Sequence, residues 1–284
     1  MIGIFDSGYG GLTVLRHVRS RLPERSTCYL GDSGRTPYGG RDVHTILDFA
    51  EQAVERLFDE GCRVVVVACH TVSCVGLRHL QQRYCGPHSA RRVLGVAIPG
   101  AEIATRVSRG RIGLLATEAT VSSGTYDVEV AKLGDHQVVG RAAPVLPPIV
   151  EEGWEDTALA REALRTYLAD LPDIDTLLLG CTHFPLLKPA LDDVVPAGVT
   201  VVDPAPFVAE RLEDWLTRHP EFDTLDAAPV HRVLCTGDPV RFARHGARFL
   251  GHPLPEVETI GEINGRLAPR NPSDRPVGQV VRSD

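Results

Sequence analysis

Two short stretches hold the residues best suited to acid–base chemistry. VVVVACHTVSC, residues 64–74, runs four valines into Cys69, His70 and Thr71. TLLLGCTHFPLL, residues 176–187, runs a second apolar segment into Cys181, Thr182 and His183. Each is a hydrophobic run, a small residue, a cysteine, then hydroxyl and imidazole side chains. A thiol with such neighbours can serve as acid, base or nucleophile. One cysteine after a strand is more often a small buried hydrophobe. Two in matching contexts point to a reaction. Thr71 or Ser73 can cap a helix after Cys69, and Thr182 or His183 one after Cys181, with Pro185 suited to the first turn. A thiol at such a helix start would have its pKa lowered by the helix dipole.

A third stretch adds a carboxylate. IGIFDSGYGGLTVLR carries Asp6 at the end of an apolar run, followed by Ser7, Gly8, Gly10 and Gly11. The glycines allow a nest of N–H groups for an anion. It is neither G-x-G-x-x-G nor a P-loop. LGDSGRTPYGGR, residues 30–41, offers Tyr38, Gly39 and Gly40, with Arg35 and Arg41 as possible charges for the same anion. No C-x-x-C pair occurs, and no second ligand pair follows Cys69 and Cys74 at zinc-site spacing, which argues against a structural metal.

Elements must bring these loops together. Strand-like apolar runs fall at 2–5, 27–30, 64–68, 93–96, 112–116, 138–142, 176–179, 199–202 and 233–235. Amphipathic stretches between them, clearest at 43–60 and 159–171, have helical spacing. Continuous apolar strands alternating with helices predict an α/β fold of mostly parallel sheets flanked by helices. Ligands in such sheets sit at the carboxyl ends of strands, so Asp6 and Cys69 should share one rim. The repeated cysteine motif suggests two pseudo-symmetric lobes facing each other across a cleft.

The 284 residues suffice for one large domain or two modest ones. A net charge of −7 argues against a nucleic-acid or membrane surface. Apolar runs fall short of the roughly 20 residues of a transmembrane helix. MIGIFDSG reads as a first strand rather than a signal peptide. Seven cysteines, an odd number, with no export signal point to a reducing cytoplasm. The tail 261–284 is polar and aperiodic, and is expected to be disordered and without function.

With these pieces in place, the sequence resembles the glutamate racemases, cofactor-independent isomerases of the aspartate/glutamate racemase superfamily. The matching motifs are FDSGYGGLTVL, GDSGRTPYG, VVACHT, LATEATVSSGTY, PPIVEEG, LGCTHFPLL and TGDPVRFARHGARFLG, which span Ile2 to about Ile260. The resemblance implies a first lobe of residues 1–92 plus 204–260, a second of 93–203, and an active site between them. It implies no pyridoxal phosphate, no metal, glutamate as substrate, and a homodimer. It implies a cytoplasmic role supplying D-glutamate for peptidoglycan. Cys69 and Cys181 would be the two acid/bases, Cys69 for the D-face and Cys181 for the L-face. Asp6 would assist Cys69. His183 would assist Cys181, oriented by Glu151. Ser7, Tyr38, Gly39, His70, Thr71, Thr182 and His183 would contact substrate, together with Asp6, and Thr117 would meet its side-chain carboxylate.

One position departs from the pattern. His70 stands where the family has asparagine after the first cysteine. A neutral histidine offers one donor and one acceptor but is bulkier and titrates near neutral pH. This keeps open a racemase acting on aspartate or another small carboxylic amino acid, and a glutamate-binding homologue with impaired catalysis. A thiol oxidoreductase is disfavoured, because the cysteines should face a substrate rather than each other. Ile98 also departs from a commonly polar position.

Overall fold

The computed structural model describes residues 1–269. In chain order the strands are β1 (Ile2–Asp6), β2 (Thr27–Gly31), β3 (Val64–Val67), β4 (Arg92–Gly95), β5 (Arg111–Ala116), β6 (Gln137–Ala142), β7 (Thr176–Gly180), β8 (Thr200–Val202), β9 (His231–Cys235), β10 (Val257–Ile263) and β11 (Arg266–Pro269). The helices are α1 (Leu12–Arg21), α2 (Val43–Asp59), α3 (His70–Tyr84), α4 (Ala97–Val107), α5 (Glu118–Ser122), α6 (Thr125–Ala131), α7 (Leu146–Glu151), α8 (Ala158–Ala169), α9 (Lys188–Val194), α10 (Ala205–Arg218) and α11 (Pro239–Leu250).

Two sheets form. The larger has the order β11-β10-β9-β2-β1-β3-β4, the smaller β6-β5-β7-β8. The run β2-β1-β3-β4 and the run β6-β5-β7-β8 share one connectivity, so the second lobe repeats the heart of the first. Strands β1, β3 and β7 are buried along their whole length. Helices cover both faces of such strands, which is why they read as continuous apolar runs. The register sets the functional rim. Asp6 pairs with Gly31, Phe5 with Val67, and Ala116 with Gly180. The loops that follow β1, β3, β5 and β7 therefore leave their sheets on the carboxyl side.

Local chemistry explains the helices. Asp42 caps α2 by accepting from the Thr45 N–H, and Ile46, Ala50, Val54 and Leu57 make its buried stripe. Each of the large apolar side chains there contributes about 1.5–3 kcal/mol. One apolar cluster joins Leu12, Tyr29 and Phe249 of the first lobe to Leu179 and Phe184 of the second.

Two expectations need correction. Strand β4 pairs with β3 in the larger sheet, whereas the resemblance places 93–203 wholly in the second lobe. The crossing falls after Gly95, and α4 packs on β7 and β8. The tail expected to be disordered from residue 261 is ordered as far as 269. Strand β10 continues through Ile263 and pairs antiparallel with β11. The Asn264–Gly265 turn has positive φ at both residues (52° and 76°), the two-residue hairpin geometry that Asn-Gly favours. Residues 270–284 lie outside the described residues.

Candidate active site

A cleft of about 230 Å³ opens between the lobes. Cys69 enters from the first lobe and Cys181 from the second. Both are mostly buried, at 5% and 7% exposure. Each follows the equivalent strand of its lobe, β3 or β7.

Cys69 occupies the N-cap position of α3. Its sulfur lies 3.4 Å from Ser7 Oγ. Neither Thr71 nor Ser73 caps the helix as expected. Ser73 Oγ instead accepts from the N–H groups of Val96 and Ala97, at the start of α4. Thr71 Oγ1 meets Thr117 Oγ1 at 2.8 Å, across the lobes. The expected acidity of Cys69 is also absent. Burial, followed by the nearby Asp6 charge, pushes this thiol up to about 12. Loss of hydration outweighs one helix terminus.

Asp6 is fully buried beneath the cleft and is not part of its wall. Its carboxylate accepts from the Gly8 N–H at 2.9 Å and from Thr182 Oγ1 at 3.3 Å. Burial raises its pKa, against the lowering effects of His183 and these donors. The glycine loop is therefore wrapped around the chain's own carboxylate, not around an external anion. Gly10 is needed for space: a Cβ there would lie 2.1 Å from Thr182 Oγ1 and 2.8 Å from His183 Nδ1.

On the opposite wall, Cys181 Sγ lies 3.8 Å from His183 Nδ1. His183 Nε2 lies 3.0 Å from Glu151 Oε1, at the end of α7. Burial opposes a charge on His183, but its bonds to Cys181 and Glu151 raise it to about 10. Thr182 and His183 do not cap the following turn; His183 takes the N-cap position without a side-chain bond, and Pro185 lies in the first turn as expected.

Tyr38 and Gly39 line the same cleft. Tyr38 Oη donates to Asp32, which also accepts from Arg35 and from Thr236 Oγ1. The Gly39 carbonyl accepts from the Ala119 N–H at 3.0 Å, another bond between the lobes. Arg35 is spent on Asp32 and Gln52, and Arg41 on the Pro37 and Arg35 carbonyls. These arginines brace their own loop, and neither lines the cleft.

His70 lies in the cleft wall, with Nδ1 2.8 Å from Tyr126 Oη. Burial holds it down at about 3, so it does not titrate near neutral pH as its type alone suggests. Ile98 is exposed on α4, away from the cleft wall.

The structure thus brings Ser7, Tyr38, Gly39, Cys69, His70 and Thr71 together with Thr117, Glu151, Cys181, Thr182 and His183. Sequence reasoning missed Pro144, just before α7, and Pro147 and Pro148, in its first turn, which line the cleft, and Tyr126 behind His70. The signal for two of the prolines was the Pro-Pro pair just before Glu151.

The Asp/Glu/Hydantoin racemase family profile matches residues 13–212. The chain belongs to this racemase family. A glutamate racemase of Desulforudis audaxviator is 44% identical over 273 residues, covering 92% of this chain and 97% of that protein. Glutamate racemase of Bacillus anthracis superposes with a TM-score of 0.84 at 35% identity, covering 91% of this chain and 96% of that one. The Francisella tularensis glutamate racemase, solved with D-glutamate, gives 0.83 at 28% identity, covering 92% and 97%. The fold is accordingly the two-lobed racemase fold, and no helix among the described residues is long and apolar enough to cross a membrane.

Proposed function

We propose that this racemase interconverts L- and D-glutamate with Cys69 and Cys181 as two opposed acid/bases. The observation that carries the reading is the entry of both thiols into one cleft from equivalent strand ends of two lobes. Racemisation removes an α-proton from one face of carbon and returns a proton to the other. Two groups on opposite sides meet this need, one accepting and one donating, with roles exchanged by direction.

The walls differ in a way that suits such a division. His183, held protonated by Glu151 and Cys181, gives the second-lobe side a cationic partner for a thiolate. Asp6 gives the first-lobe side a negative charge that favours the thiol form of Cys69. In the L-to-D direction Cys181 takes the proton of the L-enantiomer while Cys69 donates from the D-face. The reverse direction needs Cys69 ionised, and a substrate ammonium beside it would help by charge attraction. Hydroxyls of Ser7, Thr71, Thr117 and Thr182 line the cleft, where fixed donors stabilise negative charge developing on the carboxylate. By the same reading the product enters peptidoglycan synthesis, and the enzyme works as a homodimer in a bacterial cytoplasm.

Circular dichroism of L-glutamate conversion tests this with Cys69→Ala and Cys181→Ala. Each should lose about a thousandfold in rate, the scale of a lost acid or base. Near wild-type turnover by either variant rejects the two-base assignment.

A further inference from the structure

Tyr126 lies in α6 of the second lobe and is 1% exposed. Its hydroxyl meets one hydrogen-bonding partner among the described residues, Nδ1 of His70, at 2.8 Å. The two rings stack with a 24° tilt and centroids 6.2 Å apart. His70 opens α3 of the first lobe, directly after Cys69. Burial keeps both groups neutral, lowering the imidazole to about 3 and raising the phenol.

Counting protons then sets the direction of the bond. A neutral imidazole carries one proton and a phenol one. If the ring proton sat on Nδ1, the phenol proton would be left without an acceptor in a dry wall, which is costly. The phenol therefore donates to Nδ1, and the ring proton sits on Nε2. Nε2 makes no hydrogen bond within the described protein, and the ring lines both the cleft and a small cavity against Val96, Asp203 and Val208.

We propose that Tyr126 is a positioning residue that fixes His70 as its Nε2–H tautomer, making His70 a single neutral donor to a carboxylate oxygen of the amino-acid substrate. This rests on the racemase reading for the substrate and on the hydrogen bond alone for the tautomer. An asparagine could turn either a donor or an acceptor to the ligand; His70, so held, can only donate. It therefore reads carboxylate and not ammonium.

Histidine-selective ¹⁵N labelling with long-range proton correlation, using His70→Asn for assignment, should give the Nε2–H pattern in the substrate-free protein. An Nδ1–H pattern overturns the proposal whatever the substrate proves to be. Absence of glutamate turnover in the wild type would instead count against the proposed function and leave the tautomer result standing. In an enzyme that turns glutamate over, glutamate should shift the Nε2–H resonance, and no shift overturns the carboxylate contact. Tyr126→Phe keeps the ring and removes the donor. Its KM should rise about tenfold with kcat changed less than about threefold, the mark of one lost ground-state hydrogen bond. In a His70→Asn background the amide needs no tautomer, so adding Tyr126→Phe should leave KM where His70→Asn put it. Equal losses in the two backgrounds, or a wild-type KM in Tyr126→Phe alone, would mean that Tyr126 acts only by packing.

Discussion

Cys69 and Cys181 are chemically the same group in unlike surroundings. Cys69 has a hydroxyl at 3.4 Å and a buried carboxylate beneath it. Cys181 has an imidazole at 3.8 Å that is itself tied to a carboxylate. The Asp6 charge opposes the Cys69 thiolate, so its removal should favour ionisation. Asp6→Asn should speed alkylation of Cys69 by iodoacetamide about tenfold near pH 9, the scale of one nearby charge, as read by peptide mapping. A slower reaction would show that Asp6 helps the thiol lose its proton. The cysteine positions were legible from two matching motifs. The ionisation of Cys69 was not, because it depends on how much water folding removes. His70 makes the same point: its charge is decided by burial against Tyr126, 56 positions away in the chain.

Strands were legible wherever both faces are covered, since burial on both sides demands an unbroken apolar run. All nine expected strands form, with ends shifted by one or two residues. The pair β10 and β11 was missed, because exposed, mixed polar residues hide their pattern. Its turn carried a plain Asn-Gly signal at 264–265. Element starts also carry polar work that no periodicity reveals. Asp175, 7% exposed just before β7, accepts from Ser108 Oγ, Thr176 Oγ1 and the N–H groups of Arg109 and Arg111. Burial works against its charge, but these donors hold it down at about 2. The folded value lies below the ordinary 3.8, so the stability it adds is present above that pH and lost as pH falls toward 2. Asp175→Asn should cost about 2 kcal/mol at neutral pH, as a lost charged hydrogen bond does. In urea titrations that gap should close between about pH 4 and pH 2. A constant gap would mean that the cost is steric.

The lobes meet through bonds as well as apolar packing. Thr71 with Thr117, Asp6 with Thr182, His70 with Tyr126 and Gly39 with Ala119 all cross the junction. Gly10 sits where the first-lobe loop presses on the loop after Cys181. Gly10→Ala should push Thr182 and His183 aside, at a cost of about 1–3 kcal/mol for overpacking. Its kcat should fall with stability, measured by racemase kinetics and denaturant midpoint. Full activity would mean that the lobes can part without disturbing His183.

The amino-acid order alone determined the fold class, the positions of the rims and the identity of the paired cysteines. These depend on local pattern: apolar runs that must be buried, and motifs a few residues long. Tertiary structure alone decided which lobe holds β4, which side chains meet across the cleft, and which of them carry charge. Desolvation and contact between distant segments set those properties, and neither is written in any short stretch of chain.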